Sequence, residues 1–405
     1  MSREAVASTK DCEVLTPRQP AIRVAVLCDF REERWPSMDL VGDMLCLHLR
    51  EQCGESVMAT QLIPRLRKRF QYFPVLGGKV AQNADRLMNR FADYPAWLGE
   101  QRSRYDLFHL VDHSYAQLLH ALEAQRTVVT CHDLDTFRCL LEPEREKRPR
   151  WFRAMTRRIL NGFEQAAHVI AVSGATRDEL LRHNLFPPER ITVIPNGVHP
   201  SCSSAADPVW DQKAAELMPD AGIDTAWLLS VGSTLPRKRL DVLLRVFAEV
   251  RRRVPGTRLV RVGGFTPEQI RLARELKVED AILNLPFLER DLLAAVYRRA
   301  TLLLHTAEAE GFGLPLIEAM ACGCPVAGSD VPVLREVGGA AACYSPVADV
   351  DSWAGAVAGL LNARTRDRAA WEIRREQGRV HAARFSWAEN ARQTAIVYRN
   401  IMEGR

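Results

Sequence analysis

The chain lacks any apolar run of membrane-spanning length, and its first twenty residues hold charges and prolines without an apolar core. The first absence excludes a helical membrane span; the second leaves no secretory signal in view, so a cytoplasmic protein is expected. A CxxC pair is missing as well. The closest of the ten cysteines, Cys322 and Cys324, flank one glycine, a spacing that suits neither a metal knuckle nor a redox motif. Scattered in apolar surroundings, the cysteines read as buried free thiols of a reducing compartment. Strong charge of one sign is also absent. Lys and Arg number 55 against 50 Asp and Glu, leaving +5, whereas a nucleic-acid binder gathers its excess into a basic stripe or tail. The first apolar run leads into Asp29-Phe30-Arg31 instead of G-x-G-x-x-G, which argues against a nicotinamide dehydrogenase.

What is present is length and alternation. With 405 residues, 47% hydrophobic and 26% charged, the chain can build two globular domains with separate cores. Short apolar runs at Ile22–Leu27, Asp106–Val111, Thr127–Thr130, His168–Val172 and Ile191–Ile194 alternate with helical stretches such as Asp39–Gln52. That pattern predicts an open parallel α/β sheet. A Ser-, Ala-, Asp- and Pro-rich segment, Ser201–Asp220, follows, as expected of a connection between domains. The alternation then restarts at Trp227–Val231, Arg258–Val262, Ala281–Leu285, Thr301–Leu304 and Pro325–Ala327, and Phe385-Ser386-Trp387 opens a last helix. The predicted organisation is a loose extension over 1–20, a first domain over 21–205, a second over 206–385, and a helix over 386–405 packing back on the first domain. In doubly wound sheets ligands sit beyond the carboxyl ends of the strands, so the cleft between the domains is the expected site.

The strongest local signal is His305–Pro325, HTAEAEGFGLPLIEAMACGCP. A strand ends, the turn Gly311-Phe312-Gly313 follows, and a helix begins near Leu314 or Pro315, where proline suits the first turn. Glycines let backbone approach a ligand, and the free N–H groups of the new helix present the positive end of its dipole, a place for a diphosphate. Glu310 lies just ahead of those donors. Glu318, one turn into the helix, is placed to accept bonds from two adjacent hydroxyls such as those of a ribose. A second signal is Ser230–Phe247, in which a strand ends at Gly232 and Ser233, and Arg237, Lys238 and Arg239 precede an amphipathic helix. Cations there oppose the dipole by a few tenths of a kcal/mol each (roughly), and a bound anion reverses the sign.

At these residues the chain resembles the retaining nucleotide-sugar glycosyltransferases of family four, whose hallmark is E-x7-E within an EGFGLP(x)xEAMAxGxPV pattern. The resemblance implies a GT-B fold, with two Rossmann-like doubly wound parallel-sheet domains facing across a cleft. It implies Glu310 beside the transferred sugar and Glu318 on the nucleotide ribose. Lys238 matches the family's lysine; Ser233 stands where an arginine is usual, and Arg237 is expected to share the phosphate charge with Lys238. His132, in Val128–Asp133, resembles the histidine that contacts sugar or acceptor. Asn196, in IPNGV, is either an ordinary turn residue or a donor-phosphate contact, and Gly263 is a candidate for the base or phosphate pocket. On the acceptor side stand His113, Ser173, which either caps its helix or presents donors, and Gly42, at the end of the loop from Asp29. His109 is expected to be packing.

The implied activity is transfer of a hexose-type sugar from a nucleotide diphosphate sugar to a glycan, lipid-linked glycan or small-molecule hydroxyl, with retention and without metal or other cofactor. Polysaccharide or glycoconjugate biosynthesis is the implied setting. The Arg-rich stretches Pro64–Phe70 and Arg148–Arg158 are candidates for peripheral contact with an anionic membrane, and no nucleic-acid partner is expected. The rival readings are a sugar-nucleotide epimerase or hydrolase on the same fold, and a nucleotide-sugar sensor without turnover.

Overall fold

The computed structural model describes residues 20–72, 78–219 and 225–404. Apart from Pro20, the extension expected over 1–20 lies outside the described residues. Two six-stranded sheets, each parallel throughout, make up the frame. The first has β1 (Ile22–Leu27), β2 (Val57–Leu62), β3 (Leu107–Leu110), β4 (Thr127–Cys131), β5 (His168–Ala171) and β6 (Ile191–Val193), in the order β2-β1-β3-β4-β5-β6. The second has β7 (Trp227–Val231), β8 (Arg258–Val262), β9 (Ile282–Leu285), β10 (Leu302–His305), β11 (Val326–Ser329) and β12 (Ala342–Ser345), in the order β12-β11-β10-β7-β8-β9. Apolar cores cover both faces of each sheet, which is why the central strands read as continuous apolar runs.

The strand order reverses between β1 and β3 in the first sheet and between β7 and β10 in the second. Loops diverging at such a point leave a crevice beyond the strand ends. Both crevices open into one gap, where Asp29 and Asp112 stand at the ends of β1 and β3, and Ser233 and Glu310 follow β7 and β10.

The chain crosses between the sheets twice, side by side. Val198 N–H donates to Phe385 O at 3.0 Å, and Asn390 Nδ2 donates to Pro195 O at 2.8 Å. Cys202 already packs in the core of the second sheet. The last helix, Trp387–Met402, is capped by Ser386 and lies against the helix Pro36–Cys53 of the first unit. Its Tyr398 hydroxyl meets His109 Nδ1 at 2.6 Å, while His109 Nε2 meets Thr130 Oγ1 at 2.8 Å. His109 therefore packs in the core. The nine described cysteines are all unpaired thiols.

Gly42 departs from its expected place. The segment expected as a loop from Asp29 turns helical at Pro36, and Gly42 lies inside that helix against Cys28, where a Cβ would meet Sγ at 2.6 Å. It is a packing residue, away from the cleft.

Gly197 is fixed by the double crossing, since a Cβ there would stand 2.3 Å from Trp387 N. Backbone cannot yield as a side-chain tip can, so Gly197→Ala is expected to cost about 1–3 kcal/mol, the usual range for overpacking. The measurement is a lowered thermal midpoint together with faster proteolysis of the final helix.

Candidate functional site

A cavity of about 1120 Å³ lies between the carboxyl ends of the two sheets, and its walls bring together His113, His132, Asn196, Gly232, Ser233, Arg237, Lys238, Glu310, Gly311, Phe312, Gly313, Leu314 and Glu318. The helix Leu314–Ala321 begins behind Gly313, whose φ of 92° is left-handed and suits glycine, with Pro315 in its first turn. Leu314 spans the cores of both units, and the Phe312 ring meets Phe385 edge-on, centroids 5.7 Å apart.

At the centre is the Glu310 carboxylate. It accepts from Lys238 Nζ at 2.6 and 2.7 Å and from the Arg237 guanidinium at 3.0 Å, and the His305 Nε2 lies 3.2 Å away. Burial works against ionisation of Glu310, but the Lys238 ammonium, His305 and Arg237 outweigh it and hold the carboxyl well below its ordinary range. Burial likewise keeps the His305 ring neutral by lowering its pKa. Arg237 reaches across the gap, with Asp133 at 3.3 Å and Asp135 at 3.4 Å, both from the first unit. The diphosphate site expected from the sequence thus has both its cations already engaged by carboxylates.

Behind the β7 turn lies a side chain without sequence signal. Arg261, in the middle of β8, is fully buried and spends its guanidinium on backbone carbonyls: Gly232 at 2.7 Å, Ser233 at 3.0 Å, Val262 at 2.7 Å and Gly264 at 3.1 Å. Burial alone lowers its pKa to about 10, so a positive charge is held beneath the Gly232-Ser233 turn. Gly263 does not line the cavity. A Cβ there would stand 2.0 Å from Gly232 O, so the residue is glycine to let the β7 and β8 ends approach each other.

On the far side of the β10 loop, Glu318 is half-buried and accepts from the Tyr297 hydroxyl at 3.0 Å. Burial raises its pKa, against the Tyr297 bond and the Arg290 charge. The rest of its rim faces the cavity, as do Arg290 and His199.

From the first unit, His132 donates from Nε2 to Val111 O at 2.8 Å, which leaves Nδ1 as an acceptor. Burial lowers its pKa and keeps the ring neutral. His113 accepts at Nδ1 from the His132 backbone N–H at 3.4 Å, so its proton sits on Nε2, which has no aligned partner. Asp112 caps the stretch His113–Ala121 through Ser114 N at 2.8 Å. Burial and the facing Asp112 raise Asp29 well above the carboxylate range.

Ser173 does not reach the cavity. Its buried hydroxyl caps the helix Gly174–Arg182 and donates to Gly311 O at 2.9 Å, closing one unit against the other. Gly311 is glycine for that contact, because a Cβ would lie 1.9 Å from His132 O. Asp133, Asp135, Tyr297 and Arg261 are among the site residues without a sequence signature of their own, as are His305, Arg290, His199, Asp29 and Asp112. Asp133 follows directly on His132, and that adjacency was the available signal; the others sit in helix, loop and strand without a motif.

Comparison with known proteins agrees with this geometry. Residues 217–377 match the family model described as glycosyl transferases group 1, and residues 43–201 match glycosyltransferase family 4. An O-antigen chain mannosyltransferase B of Escherichia coli is 31% identical over 293 residues, 70% of this chain and 72% of that protein. A D-inositol 3-phosphate glycosyltransferase of Segniliparus rotundus is 33% identical over 254 residues, 59% of this chain; the match spans about half, 54%, of that relative's length. Among solved structures, an Anabaena protein crystallised with UDP and glucose superposes with a TM-score of 0.67 at 17% identity, covering 93% of this chain and 99% of that one.

Because the Glu310 pKa is depressed on folding, its contribution to stability is complete above the unfolded carboxyl pKa of about 4.3 and is lost as pH falls through the lower folded value. Glu310→Gln leaves Arg237 and Lys238 short of a buried partner and is expected to cost about 3 kcal/mol near pH 7. In paired melts, the gap between wild type and variant should close as pH falls below about 4. A gap that stays constant with pH shows that Glu310 is not ionised in the fold.

Proposed function

We propose that this chain, which belongs to the group 1, family 4 glycosyltransferases, moves a sugar from a nucleoside diphosphate to an acceptor hydroxyl and retains the anomeric configuration. The observation that carries this reading is the Glu310 carboxylate held by Lys238 and Arg237 at the N-terminus of the Leu314–Ala321 helix, facing His132 across the gap. The diphosphate lies against Lys238, Arg237 and the Gly313 and Leu314 N–H groups at the start of the helix, Pro315 having none and Leu316 N–H being engaged by Gly313 O, where fixed donors and cations stabilise the charge that develops as the bond to the sugar breaks. Arg261 adds positive charge under the same turn. Glu318, oriented by Tyr297, takes the ribose hydroxyls.

The acceptor hydroxyl approaches on the face the phosphate leaves. Its oxygen bonds to the anomeric carbon as the C–O bond to phosphate breaks, and its proton passes to the departing phosphate oxygen. Configuration is kept without a protein nucleophile. Glu310 and the Nδ1 of His132 accept from sugar hydroxyls, while His113, buried behind them, accepts from the His132 backbone N–H and positions that residue. Fixed cations take the part a divalent ion plays elsewhere, so the scheme needs no metal. The names of the relatives, an inositol phosphate glycosyltransferase and an O-antigen chain mannosyltransferase, favour a hexose donor and a glycoconjugate setting. Among the described residues no helix is long and apolar enough to cross a membrane.

Thermal shift against GDP-, UDP- and ADP-sugars is expected to select one base class; no shift with any of them overturns the reading. Glu318→Ala weakens donor binding by about tenfold or more, the loss for a hydrogen bond to a charged group. Lys238→Ala lowers kcat by roughly a hundredfold or more, and because it removes a partner of the buried Glu310 carboxylate it lowers the melting point as well. Turnover persists in EDTA, and NMR of the product shows the donor's anomeric configuration.

A further inference from the structure

We propose that the acceptor is an amphiphile, a hydroxylated head joined through an anionic, phosphate-type group to an apolar chain, with that chain lying between the helices Gly78–Met88 and Arg150–Phe163. This rests on the glycosyltransferase reading above. The cavity does not stop at His113; it continues along the first unit to a mouth where these two helices supply facing walls. Leu87 and Phe91 line one wall, and Trp151, Phe152, Met155 and Ile159 line the other. The spacing places Leu87 and Phe91 on one helical face, and Trp151, Met155 and Ile159 on another. Two of these side chains are far more open than apolar residues usually are, Leu87 at 40% and Trp151 at 63%. Phe91, Phe152 and Met155 are half-buried, and Ile159 belongs to the core. Exposed apolar side chains at the edge of a cleft mark a binding groove. Aromatic rings alone would suit a sugar face, but the aliphatic Leu87 and Met155 offer a glycan nothing and bury an alkyl chain well.

The charge of the mouth specifies the rest of the ligand. Arg34, Arg86, Arg90 and Arg148 line this end against Asp112 and Glu146. Arg86 and Arg148 each have one carboxylate, Glu33 and Glu146, whereas Arg34 has no ion pair among the described residues and is held in a left-handed conformation, φ 57°. That conformation caps the turn Arg31–Glu33, with the Arg34 N–H donating to Arg31 O at 3.1 Å. The Arg148 guanidinium lies 5.0 Å from the centre of the Phe152 ring, so cation and apolar wall adjoin. The helix Arg150–Phe163 carries Arg150, Arg153, Arg157 and Arg158 and no acid. An anion attached to an apolar chain satisfies both walls at once.

The test uses the full chain and dodecyl phosphate below its micelle concentration, with binding read from tryptophan fluorescence and calorimetry. Saturable binding is expected, with none for inorganic phosphate at the same concentration. The double variant Leu87→Ser with Trp151→Ser, and separately Arg34→Gln with Arg148→Gln, should each weaken it by about tenfold or more. Donor affinity, measured on the same samples, should stay at the wild-type value, which also shows that the variants are folded. Equal binding of inorganic phosphate, unchanged affinity in either variant, or affinity for anionic phospholipid vesicles without affinity for the monomer overturns the proposal. Loss of donor binding in the wild type sinks the parent reading separately, because dodecyl phosphate binding is measured without a nucleotide.

Discussion

One guanidinium ties the molecule together at its reactive centre. Arg237 holds Glu310 within the second unit and reaches Asp133 and Asp135 in the first, so the side chain that organises the candidate site also joins the two halves, alongside Ser173 on Gly311 O and Glu336 on the Gly174 and Ala175 N–H groups. Buried charge is tolerated where it is paired or fully hydrogen-bonded. Within this cluster Lys238 and Arg237 face three carboxylates, and Arg261 adds a cation solvated by backbone carbonyls. On the proposed reading a diphosphate competes with Asp133 and Asp135 for Arg237, and donor binding and domain contact share one set of charges.

The second sheet was the more legible half because a diphosphate makes the same demands on any chain that holds it. A glycine turn, a helix start and nearby cations all leave marks at short spacing, and Glu310, Glu318, Lys238 and Gly313 stand on the cavity wall together. The features without a local signature are long-range in sequence. Arg261 serves the β7 turn from the next strand, and Tyr297 orients Glu318 from twenty-one residues upstream. The edge strands β2 and β12 lack a local signature too. β2 alternates buried and exposed positions as a one-sided edge does, and β12 is short with mixed burial. Neither makes an unbroken apolar run.

Small residues carry an ambiguous signal. Gly42 and Gly263, expected at the ligand, each serve a close approach within the protein, to Cys28 and to Gly232, and of the two readings of Ser173 the structure shows the helix cap. A glycine in sequence reports that something comes near, not what it is, and at Gly311 the neighbour is the backbone of His132. In the first unit the histidines were found by position at strand ends, while the Asp29 and Asp112 pair that surrounds them needed the switch point of the sheet to become visible.

The double crossing limits how the halves can move. The two connecting strands of chain run side by side and are hydrogen-bonded to each other at Val198 and Phe385, while the final helix is anchored on the opposite unit from the one it leaves. Two adjacent tethers act like the leaves of a door hinge. They resist sliding and permit rotation about the line that joins them, so opening the gap draws Arg237 away from Asp133 and Asp135 instead of sliding one past the other.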